Sequence, residues 1–352
     1  MLNLKKPPKL REGDKVAAIS LSAGLAGDAG LRWRYETGKK RLIRDFGIDV
    51  IEMPHTLAGS EALRLHPEHR AADLMEAFAD PTVKGIFTCI GGNDSIRMLP
   101  YIDFDVIAAN PKIFLGYSDT TVTHFICAKA GLSSFYGASI MAEFAENVRM
   151  FEYTAHWLRK TLFETEPLGR VSPASVWTGE RIPWEEKNKN IPKKMEPHEG
   201  YEILQGRGIA RGRLIGGCLE VLEAIKRTDL WPDAEVFDGA LLFLETSDSA
   251  PEPAYVEQCL RDYVKRGILH RAAGILWGRP TLNRYAEDYR RVITTVLSES
   301  SGLTELPILF NLCFGHNEPM CCLPYGALAE IHCECAGFTV LEAGVGERYE
   351  KG

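Results

Sequence analysis

No apolar stretch in this 352-residue sequence approaches the ~20 residues needed to cross a bilayer. A secretion leader is not expected either, because Pro7 and Pro8 stand where its apolar run would be, and the chain is expected in the cytoplasm. Among nine cysteines the paired C-x-x-C spacing of structural zinc is missing. Cys321-Cys322 and Cys333-Glu334-Cys335 beside His332 have the wrong spacing, and Cys333 and Cys335 fit same-face positions of a C-terminal strand. Cys89, Cys127, Cys218, Cys259 and Cys313 lie inside apolar segments, as buried free thiols of a reducing compartment do. No metal and no cofactor is expected. Positive charge is in deficit, with 41 Lys and Arg against 48 Asp and Glu, which argues against nucleic acid as the main partner. Internal repeats, coiled-coil heptads and low-complexity tracts are absent, and the 45% hydrophobic, 25% charged composition is that of an ordinary folded protein.

What is present is an alternation of strands and helices in two halves. The first half predicts strands at 15–20, 49–53, 85–90 and 113–115, with helices at about 31–45, at 70–79, near Ser95 and after Ser118. The second opens on "GRLIGGCLEVLEAI" at 212–225. It continues with strands at 240–244, 273–277 and 307–312, helices at 254–266 and 286–297, and a closing hairpin over 327–342. Such alternation implies a largely parallel sheet with helices on both faces, where ligands collect beyond the carboxyl ends of the strands. Loop 22–28, loop 91–94 and Ser118 should share that edge. Between the halves, residues 169–207 are rich in Pro, Glu, Lys and Gly and too long for a simple connection. They read as a linker or a lid. Trp177 and Trp184 favour a lid, since exposed tryptophans are costly unless they pack on something; the competing reading docks both on the domain surface.

The stretch "IFLGYSDTTVTHF" at 113–125 reads strand, sharp turn, helix. Ser118 is there either a helix cap or the serine of a nucleophile elbow. A nucleophilic serine needs a base held in the right tautomer. Of the nine histidines, His66, His69, His156 and His198 read as solvated surface, and His124 as pointing away from the elbow. His316 follows a glycine just past a strand end, where catalytic side chains concentrate. Glu245 ends the apolar run "GALLFLE", a poor choice for a purely structural strand end. A capping Glu and a surface His are the plain readings of each alone. Together, Ser118, Glu245 and His316 at three strand ends read as a triad. Oxyanion donors would be the amide of Asp119, at a helix N-terminus, and that of Gly92 in "CIGGNDS". As a phosphate cradle that Gly-Gly loop lacks both the P-loop lysine and the G-x-G-x-x-G spacing.

These residues sit in the stretches "AISLSAGLAG", "GIFTCIGGNDSIRMLPYIDFDVI", "PKIFLGYSDTT", "GRLIGGCLEVL", "LLFLETSD", "GILWGRP" and "PILFNLCFGHNEPMCCLPYG". By them the chain resembles the LD-carboxypeptidase family of serine peptidases, within it the microcin C immunity branch. The resemblance spans nearly the whole chain. It implies Ser118 as nucleophile, His316 as base, Glu245 as orienting acid, and the amides of Gly92 and Asp119 as oxyanion donors. The implied architecture is α/β, with a flavodoxin-like parallel-sheet N-terminal domain (1–168) carrying the serine and a smaller C-terminal α/β domain (208–352) carrying Glu and His. The active site would lie at their interface, 169–207 would be linker and substrate loop, and the assembly would be a homodimer. The elbow departs from G-x-S-x-G, with Thr120 after Asp119, as in the family. Murein LD-carboxypeptidases carry an Arg-Gly-Gly-Tyr type of loop where this chain has Ile90-Gly91-Gly92-Asn93-Asp94, which sets Asn93 among the substrate-binding residues. In the microcin branch loop aromatics sandwich an adenine, a role for which Trp177 and Trp184 are placed.

The expectation is therefore a metal-independent serine carboxypeptidase acting on peptidyl- or aminoacyl-adenylate analogues. The nearest rival is a muramoyltetrapeptide L,D-carboxypeptidase, and a rival of another class is a non-catalytic flavodoxin-like binding protein.

Overall fold

The computed structural model describes residues 2–348. Its first sheet runs, edge to edge, Asp49–Glu52, Lys15–Ile19, Val83–Thr88, Ile113–Gly116, Phe135–Tyr136 and Leu323–Pro324. The first five strands are parallel and in flavodoxin-like order; the last, from the C-terminal half, pairs antiparallel with Phe135–Tyr136. Alternation of buried side chains explains why both faces are covered: Val16 and Ala18 enter one apolar cluster, Ala17 and Ile19 the other. Helices Arg32–Phe46, Pro67–Ala79 and Thr121–Lys129 supply the covers.

The second sheet has eight strands, in the order Gly169–Arg170, Gly337–Val340, Leu328–His332, Ile209–Cys218, Leu241–Glu245, Gly274–Gly278, Ile308–Leu312 and Glu202–Gln205. Its middle four strands are parallel, and antiparallel strands flank them on both sides. One apolar cluster runs from Ile86, Phe114 and Tyr136 into Leu241, Phe243 and Leu276, so the two sheets share a continuous core. That continuity holds the carboxyl ends of both sets of parallel strands against each other.

Of the two readings of 169–207, linker or lid, the free linker does not suit the segment's order: both ends are edge strands of the second sheet, and Val176–Trp177 pairs with Glu196–Pro197 between them. Two expectations need correction. Cys333–Cys335 is a 3₁₀ turn closing the hairpin of Leu328–His332 and Gly337–Val340, so the two cysteines do not share a strand face. The helix at 286–297 is α-helical over Ala286–Thr294 and continues as a wider π-type turn, Thr295–Ser300. All nine cysteines are unpaired and seven are buried, and no helix among the described residues is long and apolar enough to cross a membrane.

Candidate active site

Ser118 follows strand Ile113–Gly116 with φ of 64°, a left-handed conformation that costs a non-glycine residue about 1–3 kcal/mol. Two hydrogen bonds hold it there: its N–H donates to Tyr136 Oη at 3.2 Å, and its carbonyl accepts from Thr121 Oγ1 at 2.7 Å. The side chain caps nothing, since the helix start carries no side-chain cap bond. Its Oγ instead lies 2.9 Å from Nε2 of His316. Of the two readings, cap or elbow, the cap has no hydrogen bond behind it, and the hydroxyl faces an imidazole as an elbow serine would.

His316 stands past strand Ile308–Leu312, and its Nδ1 is 2.8 Å from Oε2 of Glu245. The carboxylate therefore fixes the tautomer: Nδ1 carries a proton toward Glu245, leaving Nε2 free to accept from Ser118. Glu245 is wholly buried at the end of Leu241–Glu245. Gly315 lets the backbone come this close, at φ of 86°, where a Cβ would overlap the Glu245 side chain. Burial by itself disfavours the imidazolium, but the charge of Glu245 and its hydrogen bond outweigh that, and the His316 pKa lies above its ordinary value. For Glu245 burial works to raise the pKa, and the His316 charge together with the bonds from His316 and Tyr136 turns the balance downward.

Loops 22–28 and 91–94 do meet at this edge. Ala23 N–H donates to the Gly91 carbonyl at 3.0 Å. The Asp119 side chain accepts from Ser22 Oγ at 2.5 Å and from Ser95 N–H at 2.8 Å. Behind them the fully buried Arg70 donates to Asp94 at 2.7 Å and to the Leu21 carbonyl at 3.2 Å. A Cβ on Gly92 would collide with Ser22 Oγ, so only glycine allows the loop to pass here. Neither the Gly92 nor the Asp119 N–H has an acceptor among the described residues.

The cleft around Ser118, of about 280 Å³, is walled by Gly91, Gly92, Arg34, Trp184, Arg181 and Lys193, with Asp248 beside His316. Trp184 comes from the 169–207 segment and lies over the guanidinium of Arg34 at 4.2 Å, a cation–π contact. Arg34 is buried and bonded to the Met141 carbonyl at 2.6 Å and to Asn147 at 3.1 Å, and the charges of Glu146, Glu318 and Glu143 act on it without a direct ion pair among the described residues. Lys193 ties the same segment down between Glu146, at 2.7 Å, and Glu318.

Trp177 departs from its expected place. It is buried under Arg279, 4.2 Å from ring centre to guanidinium, and does not line the cleft. Asn93 is exposed and does not line it either. His198, expected at the surface, is half-buried; its Nδ1 accepts from Gly200 N–H and its Nε2 is 3.4 Å from Cys313 Sγ, and burial lowers its pKa to about 4. His124 is buried beneath the elbow between Ser134 Oγ and the Gly116 carbonyl, with its pKa lowered by burial to about 3, and contributes packing rather than a base. Among the described residues one group, His66, Glu68 and His69, gathers side chains that could hold a cation, and none of them lines the cleft. Sequence reasoning missed Tyr136, Arg34 and Lys193. Nothing in "SSFYGAS" around Tyr136, in the amphipathic helix that holds Arg34 or in the Lys-rich irregular stretch around Lys193 separates them from core or surface residues.

Residues 16–137 match the family model for the LD-carboxypeptidase N-terminal domain, and residues 211–331 match that for its C-terminal domain. The chain belongs to the LD-carboxypeptidase family. It is similar to the microcin C7 self-immunity protein MccF of Escherichia coli, 31% identical over 277 residues covering 78% of each chain. Among solved structures it resembles an MccF-like protein from Streptococcus pneumoniae in complex with AMP, with TM-score 0.86 and 31% identity over 93% of this chain and 98% of that one. MccF in complex with aspartyl sulfamoyl adenosine superposes with TM-score 0.84 and 27% identity over 97% of this chain and all of that one. The family and its microcin C immunity branch make this chain a serine-type carboxypeptidase, a hydrolase.

Proposed function

We propose that the chain hydrolyses the bond at the carboxyl end of small peptidyl or aminoacyl groups joined to a nucleotide, through a Ser118–His316–Glu245 triad. The observation that carries this is the hydrogen-bonded path from Ser118 Oγ through His316 to Glu245, with Trp184 and Arg34 across the same cleft. In the reaction Ser118 Oγ attacks the carbonyl while its proton passes to Nε2 of His316, and Glu245 offsets the imidazolium charge. The amides of Gly92 and Asp119 donate to the oxyanion. His316 then gives the proton to the leaving group and takes one from the water that releases the acyl group from Ser118. The nucleotide reading is supported by an aromatic face and the cations Arg34, Arg181 and Lys193 along the cleft, and by relatives solved with AMP and aspartyl sulfamoyl adenosine. The nine unpaired cysteines support a reducing, cytoplasmic setting.

The test is to present purified protein with a peptidyl-adenylate analogue and a muramoyl tetrapeptide in parallel and to follow products by mass spectrometry. Cleavage of the nucleotide compound at higher kcat/KM supports the proposal. Cleavage of the muropeptide alone replaces it with the peptidoglycan reading.

A further inference from the structure

Tyr136 joins the two ends of the catalytic relay from behind. Its hydroxyl donates to Glu245 Oε1 at 2.5 Å and accepts from the Ser118 N–H at 3.2 Å. With Ser118 Oγ to His316 and His316 to Glu245 Oε2, at 2.9 and 2.8 Å, four hydrogen bonds close a ring that begins and ends on Ser118. The phenol is fully buried between Phe243, 5.5 Å away between ring centres, and His124, also at 5.5 Å. Its strand pairs with both Gly116, just before the elbow, and Leu323, in the segment that follows His316. A buried tyrosine hydroxyl requires a partner, yet an ordinary core tyrosine would find it in a backbone carbonyl. This one spends its single proton on a carboxylate in the other half of the chain.

We infer that Tyr136 is a positioning residue for the hydrolysis: it orients the Glu245 carboxylate toward His316 and anchors the strained Ser118 backbone. The inference rests on the Ser118–His316–Glu245 reading of the site. Besides Glu245, the charged groups facing His316 are Asp248 and Glu220, with the Tyr117 ring packed on it, and Cys218, Tyr325, His124 and Tyr117 are the further titratable groups facing Tyr136. Replacing the phenol leaves all of these in place.

The experiment is Tyr136→Phe, measured as kcat, KM and pH–rate profile on whichever substrate the wild type turns over, beside Ser118→Ala. Loss of a hydrogen bond to a charged group should lower kcat about ten- to a hundred-fold with KM unchanged. Without the donor, more of the Glu245 charge faces His316, the imidazolium persists to higher pH, and the acidic limb of the profile should move up. Labelling of Ser118 by a fluorophosphonate should slow in step with kcat. Wild-type kcat and an unmoved limb, or a loss confined to KM, would overturn the inference while an inactive S118A left the triad standing. Full activity in S118A would remove both. Should Tyr136→Phe not fold, fluorotyrosine placed at position 136 keeps the ring and strengthens the donor. The acidic limb should then move down, and an unmoved limb would again overturn the inference.

Discussion

His316 Nδ1 and Glu245 Oε2 lie 2.8 Å apart at a position where the glutamate has no exposed surface at all. A buried carboxylate this close turns the histidine into a stronger base than a solvated one, because protonating the ring neutralises a charge that water does not reach. The consequence is a pH dependence of known sign. In the proposed triad His316 accepts the serine proton in its neutral form, and its pKa is raised from 6.5. As the pH falls, kcat/KM should therefore decline through a single ionisation above about 6.5, the ordinary histidine value. An acidic limb centred well below that value would show that another group controls the rate.

Ser118→Ala should abolish turnover and leave the fold in place. The hydroxyl's hydrogen bond is to His316 and not to a helix end, so no cap is lost with it. Had Ser118 been a cap, the variant would lose about 0.5–2 kcal/mol of stability and keep its activity. Thermal unfolding and turnover measured on the same sample separate the outcomes.

Glu245→Gln and His316→Ala should each cut acylation by about a thousand-fold or more, with the histidine change the more severe. The two oxygens of Glu245 each accept a bond, one from Tyr136 and one from His316. A carboxamide has one accepting oxygen, so its NH₂ must face a donor on one side. It also carries no charge to offset the imidazolium. In the proposed mechanism these three side chains hold every proton that acylation moves, so EDTA should leave wild-type activity unchanged. Single-turnover rates with and without chelator check both expectations, and metal-restored activity would contradict the second.

The strand ends were legible because apolar runs stop abruptly at polar, chemically reactive residues. "IFLGYS", "LLFLE" and "LCFGH" each announce a parallel strand and what stands beyond it. That a parallel sheet gathers such ends on one edge is a rule of the architecture, and it places Glu245 and His316 together on the second sheet. Ser118 ends a strand of the first sheet and reaches them only because the two sheets share one core, which no local pattern announces. Tyr136 was not legible, because its strand is two residues long and its partners lie 18 and 109 positions away. The order of the 169–207 segment, read as a linker or a lid, was not legible for a related reason. Its order comes from distant partners, such as Lys193 between Glu146 and Glu318, and not from any local period.

The two tryptophans of that segment now carry opposite expectations. Trp184 lines the cleft with its ring over Arg34, whereas Trp177 is buried beneath Arg279 and away from it. A contact remote from the reacting carbonyl helps only substrates that reach it. If Trp184 stacks on a nucleobase, Trp184→Ala should raise KM for adenylate substrates about ten- to a hundred-fold, the worth of ~1–3 kcal/mol of stacking. A small ester without a base should be turned over as before. Trp177→Ala should instead lower thermal stability, since truncating a buried tryptophan costs about 3–5 kcal/mol, and should affect both substrates alike. Steady-state kinetics on the adenylate and ester pair, with a melting curve for each variant, decide the matter. If Trp184→Ala left KM for the adenylate unchanged, the aromatic wall would have no part in recognition, and the muropeptide reading would take precedence.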